Sequence, residues 1–348
     1  MPHFPVRGPS GDLTTKDAAA DGAGRDGTTG ARSWRMRLRS LGSRLGLLWV
    51  LIALFVLFSI WLPHTFLTLG NVQTMVNSQA VILILAIAAT MPLRAGDFDF
   101  SIAAVMTAST ATVIVLVSHG QSLALAVFLA LGLGLVVGIV NALLIVKIGV
   151  DSLITTLGML TALGGYAYAI TNSNVIVVSR SAVLGFARDS FAGFPAATWY
   201  AWVLVVVAWY VYEKTPLGRY LIFIGGNREA AKLAGVRVSG VRGLALLTSA
   251  LLSAFAGIVL AGQLGAIDPS IGSQYLLQPF AAALLGATTV TIGRPNALGT
   301  LIALYLLVIG VTGLELLGAS SWANDVFNGL ALVVAVTVAK LAAGSRQT

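Results

Sequence analysis

Ten apolar runs, each close to the length needed to cross a bilayer, follow one another along this chain with only short polar breaks between them. They lie near residues 45–62, 72–93, 100–118, 122–147, 153–171, 197–212, 243–265, 276–292, 296–317 and 324–342. A helix needs about 20 apolar residues to span the hydrocarbon core. In lipid every backbone N–H and C=O must find its partner within the protein, so only helices and closed barrels can cross. Runs this long and continuous predict an all-α, polytopic membrane protein of about ten transmembrane helices, with residues 45–342 as its transmembrane domain. Composition agrees: charged residues are 10% of the chain, against about 25% in soluble domains. The second, sixth and eighth runs are the weakest. The sixth is short, but Trp199, Tyr200 and Trp202 stand at one end and Trp209, Tyr210 and Tyr212 at the other, an aromatic belt at each interface.

Residues 1–44 are rich in Gly, Asp, Thr, Ala and Arg and have no apolar periodicity. They predict a disordered tail, too long and polar for a simple secretory signal peptide. Its late arginines, Arg32, Arg35, Arg37, Arg39 and Arg44, place the N-terminus in the cytoplasm by the positive-inside rule and could also touch lipid head groups. Ten spans then put the C-terminal tail, 343–348, inside as well. The polar segment 213–242 falls inside with Lys214, Arg219, Arg228, Lys232, Arg237 and Arg242. The net charge of +8 follows this sidedness, so it is not a signature of nucleic-acid binding.

Within that polar segment lies Gly226-Asn227-Arg228-Glu229-Ala230-Ala231-Lys232-Leu233-Ala234-Gly235. Asn227 is a good N-cap and Gly235 a good residue just past a C-terminus. Glu229 sits in the first turn, where the helix dipole favours an acid. The segment predicts a short capped helix near 226–236 that can dock in a partner's groove.

The spacing Glu229-Ala230-Ala231, three residues, Gly235 resembles the EAA loop of ABC importer permeases. The longer string from Gly218-Arg219-Tyr220 through Gly225-Gly226-Asn227-Arg228-Glu229-Ala230-Ala231-Lys232-Leu233-Ala234-Gly235-Val236 resembles the ribose-type sugar permeases, within the branched-chain amino acid and monosaccharide permease superfamily. Thr155-Thr156-Leu157-Gly158-Met159 and Leu284-Leu285-Gly286-Ala287-Thr288 extend the resemblance over about residues 70–340. It implies a type II importer-like fold. In that family Gly226, Asn227, Arg228, Glu229, Ala230, Ala231, Lys232 and Gly235 would form the coupling helix against a separate ATPase subunit. The implied partners are ATPase subunits, a second permease subunit (a homodimer by expectation) and a periplasmic or lipid-anchored solute-binding protein. ATP and Mg would sit on the ATPase, and this chain would bind no cofactor. The implied place is a bacterial plasma (inner) membrane, and the cargo a sugar or related polyol. Branched-chain amino acids and nucleosides are alternative cargoes.

Met91-Pro92-Leu93-Arg94-Ala95-Gly96-Asp97-Phe98-Asp99-Phe100-Ser101 resembles the family's Gly-Ile-Asp-Leu-Ser segment, with Asp97 as an added acid. Pro92 and Gly96 are expected to interrupt the helix, and interrupted helices place polar groups beside translocation paths. The other reading is a cytosolic turn with Asp99 capping the next helix. Candidate path residues are Asp97, Phe98, Asp99, Phe100, Ser101, Thr155, Thr156 and Glu315. Glu315 is the main charged exception within the spans, and charge there points to function, although an interfacial carboxylate reaching water would look the same. Asp97 before the third span and Asp268 before the eighth form a weak internal echo, as an inverted repeat of two five-span halves would give. Pro295 stands where the family often has glycine and would stiffen its turn.

No Gly-Lys dipeptide occurs, so there is no Walker A phosphate loop, and ATP would have to be hydrolysed by another polypeptide. The three histidines are scattered and there is no cysteine, which argues against a metal cluster or a thiol nucleophile. A proton- or sodium-driven secondary transporter is the remaining alternative. It would want buried ionisable relays, and only Glu315 and the Asp97/Asp99 pair could serve.

Overall fold

The computed structural model describes residues 45–179, 181–320 and 322–344. The tail expected over 1–44 and residues 345–348 lie outside it. The chain is an all-α, polytopic membrane protein. Among the described residues, five segments are long and apolar enough to cross a membrane: Leu69–Arg94, Leu123–Ile148, Ser152–Ile170, Val238–Leu264 and Ala297–Leu316. Shorter apolar helices accompany them, and each predicted run falls on a helix.

In chain order, α1 is Gly46–Trp61, and α2 (Leu69–Ser78) and α3 (Ala80–Arg94) follow one another across a break at Gln79. Next come α4 (Ile102–Ser118), α5 (Leu123–Ala142) with a π-helical extension Leu143–Ile148, and α6 (Ser152–Ile170). Helix α7 (Ser181–Arg188) leads into α8 (Ala196–Lys214), α9 (Pro216–Gly226), α10 (Arg228–Leu233) and the long α11 (Val238–Leu264). The chain ends with α12 (Leu277–Gly286), α13 (Ala297–Leu316) and α14 (Trp322–Gly344). Two-residue strands pair only in the connections, Ile176–Val177 with Ala266–Ile267 and Ser190–Phe191 with Phe194–Pro195.

Helices α3, α4 and α11 are buried along most of their length and form the interior, while α5 and α6 present much of their surface outward. Among lipid tails apolar side chains do not distinguish inside from outside, so helix contact depends on small residues that let backbones approach. At Gly134 an added Cβ would stand 2.5 Å from the Ala254 Cβ, and at Gly138 3.0 Å from the Leu247 Cα. Gly132, which shares their spacing, has open space instead.

Two sequence expectations change, and one further helix appears. The eighth run does not stay helical to 292: α12 ends at Gly286, giving about 15 Å of helix. The Asn296 side chain stops it by donating to the carbonyls of Gly286 and Thr289, both at 3.0 Å, and its Oδ1 caps α13 at the Gly299 N–H. The segment 216–226 is a helix with Pro216 in its first turn. Pro92 lies inside α3 without breaking it. The helix ends at Gly96, whose φ of +77° closes a Schellman turn: Asp97 N–H reaches Pro92 O and Gly96 N–H reaches Leu93 O.

The internal echo is in a different register from the expected one. Ser101 donates to Asp99 Oδ1 through its N–H (3.1 Å) and its hydroxyl (2.5 Å). Ser270 does the same to Asp268 Oδ1 at 2.9 and 2.7 Å. Each aspartate follows, at three residues' distance, a glycine of positive φ that ends a long helix: Gly96 at +77° and Gly265 at +64°. Asp99, rather than Asp97, is therefore the local match of Asp268.

Candidate functional site

The end of the molecule that gathers Arg94, Arg228 and Arg242 is organised around the α3–α4 break. Asp97 Oδ1 accepts from Arg228 and Arg242 Nη2, each at 2.8 Å, and Oδ2 accepts from Arg242 Nε at 2.8 Å. Arg228 also donates to the Gly96 carbonyl. The Asp97 side chain is 2% exposed, that of Arg242 12% and that of Arg228 43%. The short helix α10 is thereby tied to the break through its first residue. Its packing explains the neighbouring glycine: a Cβ at Gly225 would lie 2.2 Å from the Arg94 carbonyl oxygen.

Asp99 goes deeper. Its Oδ2 accepts from Ser249 at 2.7 Å, and Ser249 lies seven residues beyond Arg242 on α11, about 10 Å along the helix. The chain therefore re-enters the protein between Asp97 and Asp99. Asp99 and Ser101 are fully buried, and Asn141 of α5 donates to the Ser101 hydroxyl at 3.0 Å. Phe98 stacks on Phe100 at 6.1 Å between ring centroids, and Phe100 meets Phe280 of α12 at 4.7 Å. Thr155 and Thr156 sit in the first turns of α6, their hydroxyls returned to the carbonyls of Asp151 and Ser152. Ser152 also accepts the Phe98 N–H at 3.3 Å. Seven of the eight predicted path residues thus converge on the break and the start of α6 beside it.

Glu315 stands apart, in a cavity of about 530 Å³. Gln79, at the α2–α3 break, lines it, fifteen residues or about 22 Å of helix from Arg94. Gln274 and Tyr275 of the 3₁₀ turn before α12 line it too, with Gln278 of α12, whose amide donates to Gln79 Oε1 at 3.1 Å. Thr312 and Glu315 of α13 and Asp325 and Asn328 of α14 complete the polar wall. Apart from Glu315 these residues escaped the sequence reading. Gln274 and Gln278 share a helical spacing across the start of the eighth run, and Asp325 is an acid inside the tenth run; both are signals of a polar wall. Asp268 is outside the cavity, exposed, with its carboxyl held below the usual range by the Ser270 N–H and hydroxyl.

The short helix follows its predicted caps. Asn227 Oδ1 accepts the Ala230 N–H at 2.9 Å, and Gly235, at φ +80°, closes the C-terminus with Val236 N–H on Ala231 O. Ala231 is its buried contact, while Glu229, Lys232 and Leu233 face outward, Leu233 at 88% exposure.

Residues 71–336 match the family described as branched-chain amino acid transport system / permease component. The chain belongs to this permease family. The permease is 29% identical over 313 residues to the ribose import permease of Escherichia coli (strain K12), covering 88% of this chain and 94% of that one. It is 28% identical over 294 residues to the L-arabinose ABC transporter permease of Azospirillum brasilense, covering 84% and 86%. With the ribose import permease of Bacillus subtilis (strain 168) it shares 34% identity over 198 residues, 56% and 62% of the two chains. No solved structure matches the permease.

Proposed function

We propose that this chain is the translocation subunit of a binding-protein-dependent, ATP-driven sugar importer. The family match over 71–336 carries the reading, and the relatives named for ribose and arabinose favour sugar over amino acids or nucleosides. The basic end faces the cytoplasm of a bacterial plasma membrane. Two copies enclose the path, a solute-binding protein delivers cargo on the far side, and two ATPase subunits, which hold ATP and Mg, dock on α10. Leu233, exposed beside Glu229 and Lys232, is the apolar knob for the ATPase groove.

The cavity around Gln79, Gln278 and Glu315 is the outer part of the path. The Phe98, Phe100 and Phe280 rings form its inner closure, together with the buried break 97–101 and the start of α6 at Thr155 and Thr156. Movement of α10 reaches that closure through Arg228 and Asp97, and so switches access from one side to the other.

The importer, assembled with its ATPase and binding protein, tests this. Gly235→Pro distorts the helix end, Glu229→Arg reverses its N-terminal charge, and Leu233→Glu removes the knob. All three are expected to insert normally and to lose binding-protein-stimulated ATP hydrolysis. Normal stimulated hydrolysis in the three variants rules out docking at this helix.

A further inference from the structure

We propose that Arg94 is a positioning residue that carries motion of the docking helix into α13, and through α13 to the outer cavity. The inference goes beyond the importer reading and rests on docking at α10. Arg94 is the last residue of α3 and is 3% exposed. Its backbone and its side chain hold different elements. Its carbonyl packs on Gly225 of α9, where a Cβ would stand 2.2 Å from the oxygen, and Asn227, two residues on, caps α10. Its Nη1 donates to the Pro295 carbonyl at 2.7 Å, just ahead of α13. Its guanidinium lies 4.1 Å over the Tyr212 ring of α8, and the Tyr212 hydroxyl is fixed at 2.6 Å from that of Thr90. A shift of α9 and α10 therefore bears on Arg94, and Arg94 bears on the start of α13. That helix runs for 20 residues, about 30 Å, and brings Thr312 and Glu315 to the cavity wall. Two further observations mark this junction as a switch. Val290, in the turn from α12 to α13, has a φ of +59°, a strained conformation for a β-branched residue and one that collects at moving sites. Arg94 Nε and Nη2 are buried with no hydrogen-bond partner among the described residues. A buried cation so incompletely bonded lowers stability, and an apolar side chain of similar length is often better tolerated. What Arg94 contributes is position, so one substitution separates coupling from stability.

The importer assembled with its ATPase and binding protein in lipid nanodiscs tests this. Thr312→Cys is the reporter, because the chain has no cysteine of its own. Its maleimide labelling rate, read on the separated permease, is compared without nucleotide and with a non-hydrolysable ATP analogue. The rate should differ about fivefold or more between the two states, as a coupling free energy of ordinary size gives. Adding Arg94→Met should make the two rates equal, and Arg94→Met alone should lower binding-protein-stimulated ATP hydrolysis about tenfold. Basal hydrolysis, co-purification of the ATPase and the thermal midpoint should all hold. Arg94→Lys, which can still donate to the Pro295 carbonyl, should restore most of the labelling response. A full response in Arg94→Met, or a Thr312→Cys reporter indifferent to nucleotide in the parent, overturns the relay. A lowered midpoint or a lost ATPase subunit in both Arg94 variants assigns the residue to structure and overturns it as well. If Glu229→Arg, Gly235→Pro and Leu233→Glu all hydrolyse ATP normally, the docking reading fails and the relay with it. If those three fail while Arg94→Met responds normally, the relay alone is refuted.

Discussion

At the residue scale, Asp97 holds two arginines that differ in what they contribute. The Arg242 side chain is 12% exposed and grips both carboxylate oxygens, while Arg228 is 43% exposed. Breaking a buried pair strands a charge and costs about 3–5 kcal/mol, whereas an exposed pair contributes about 0–1 kcal/mol. Asp97→Asn and Arg242→Gln are therefore expected to lower the thermal midpoint of the purified permease clearly. Arg228→Gln should leave it almost unchanged while reducing stimulated ATP hydrolysis in the assembled importer. Equal thermal losses in all three would mean that Arg228 is a structural partner rather than the link to α10. The sequence offered Asp97 as an added acid, yet gave no sign of its partners, because Arg228 and Arg242 lie more than a hundred residues away in the chain.

At the element scale, the contact of α5 with α11 depends on two glycines. Gly134→Ala places a methyl 2.5 Å from the Ala254 Cβ and 3.0 Å from the Ala250 carbonyl oxygen. The helices must separate, at a cost of about 1–3 kcal/mol typical of overpacking. Gly132→Ala meets nothing within 4 Å and should stabilise slightly, since alanine is the better helix former by about 1 kcal/mol. Thermal unfolding of the two variants in one detergent checks the pair, and a destabilised Gly132→Ala would show that the outer face of α5 is also packed. Elements with local signals were legible in the sequence. Asn227 and Gly235 bounded α10 because capping is written in adjacent residues, and the apolar runs located the long helices. Helix α9 was hidden by its three glycines and by the polar segment around it, although Pro216 is a start signal. The early end of α12 depends on Asn296, ten residues beyond Gly286, a tertiary staple that no local pattern announces. The cavity was the least legible feature. Gln79, Gln278, Glu315 and Asp325 come from four parts of the chain, and only packing brings them together.

At the scale of the whole molecule, the remaining question is which end faces the cytoplasm. Asp97, Arg228 and Arg242 gather at one end, and Arg188 is held to the Gln263 carbonyl, at 2.7 Å from Nη2, at the other. Helix α11 connects the two ends with 27 residues, about 40 Å of rise, long enough to cross the bilayer. Positions beyond its opposite ends must then be labelled from opposite sides. The chain has no cysteine, so a single introduced thiol reports without background. Ser239 is exposed in the first turn of α11, and Ser190 is exposed in the hairpin that precedes α8. The positive-inside rule places Ser239 in the cytoplasm. With a membrane-impermeant maleimide on intact cells, Ser190→Cys should label at once and Ser239→Cys only after the membrane is opened. The reverse pattern would put α10 outside, beyond reach of any ATPase, and refute the coupling assignment. Labelling of both from outside would show that α11 does not cross the membrane.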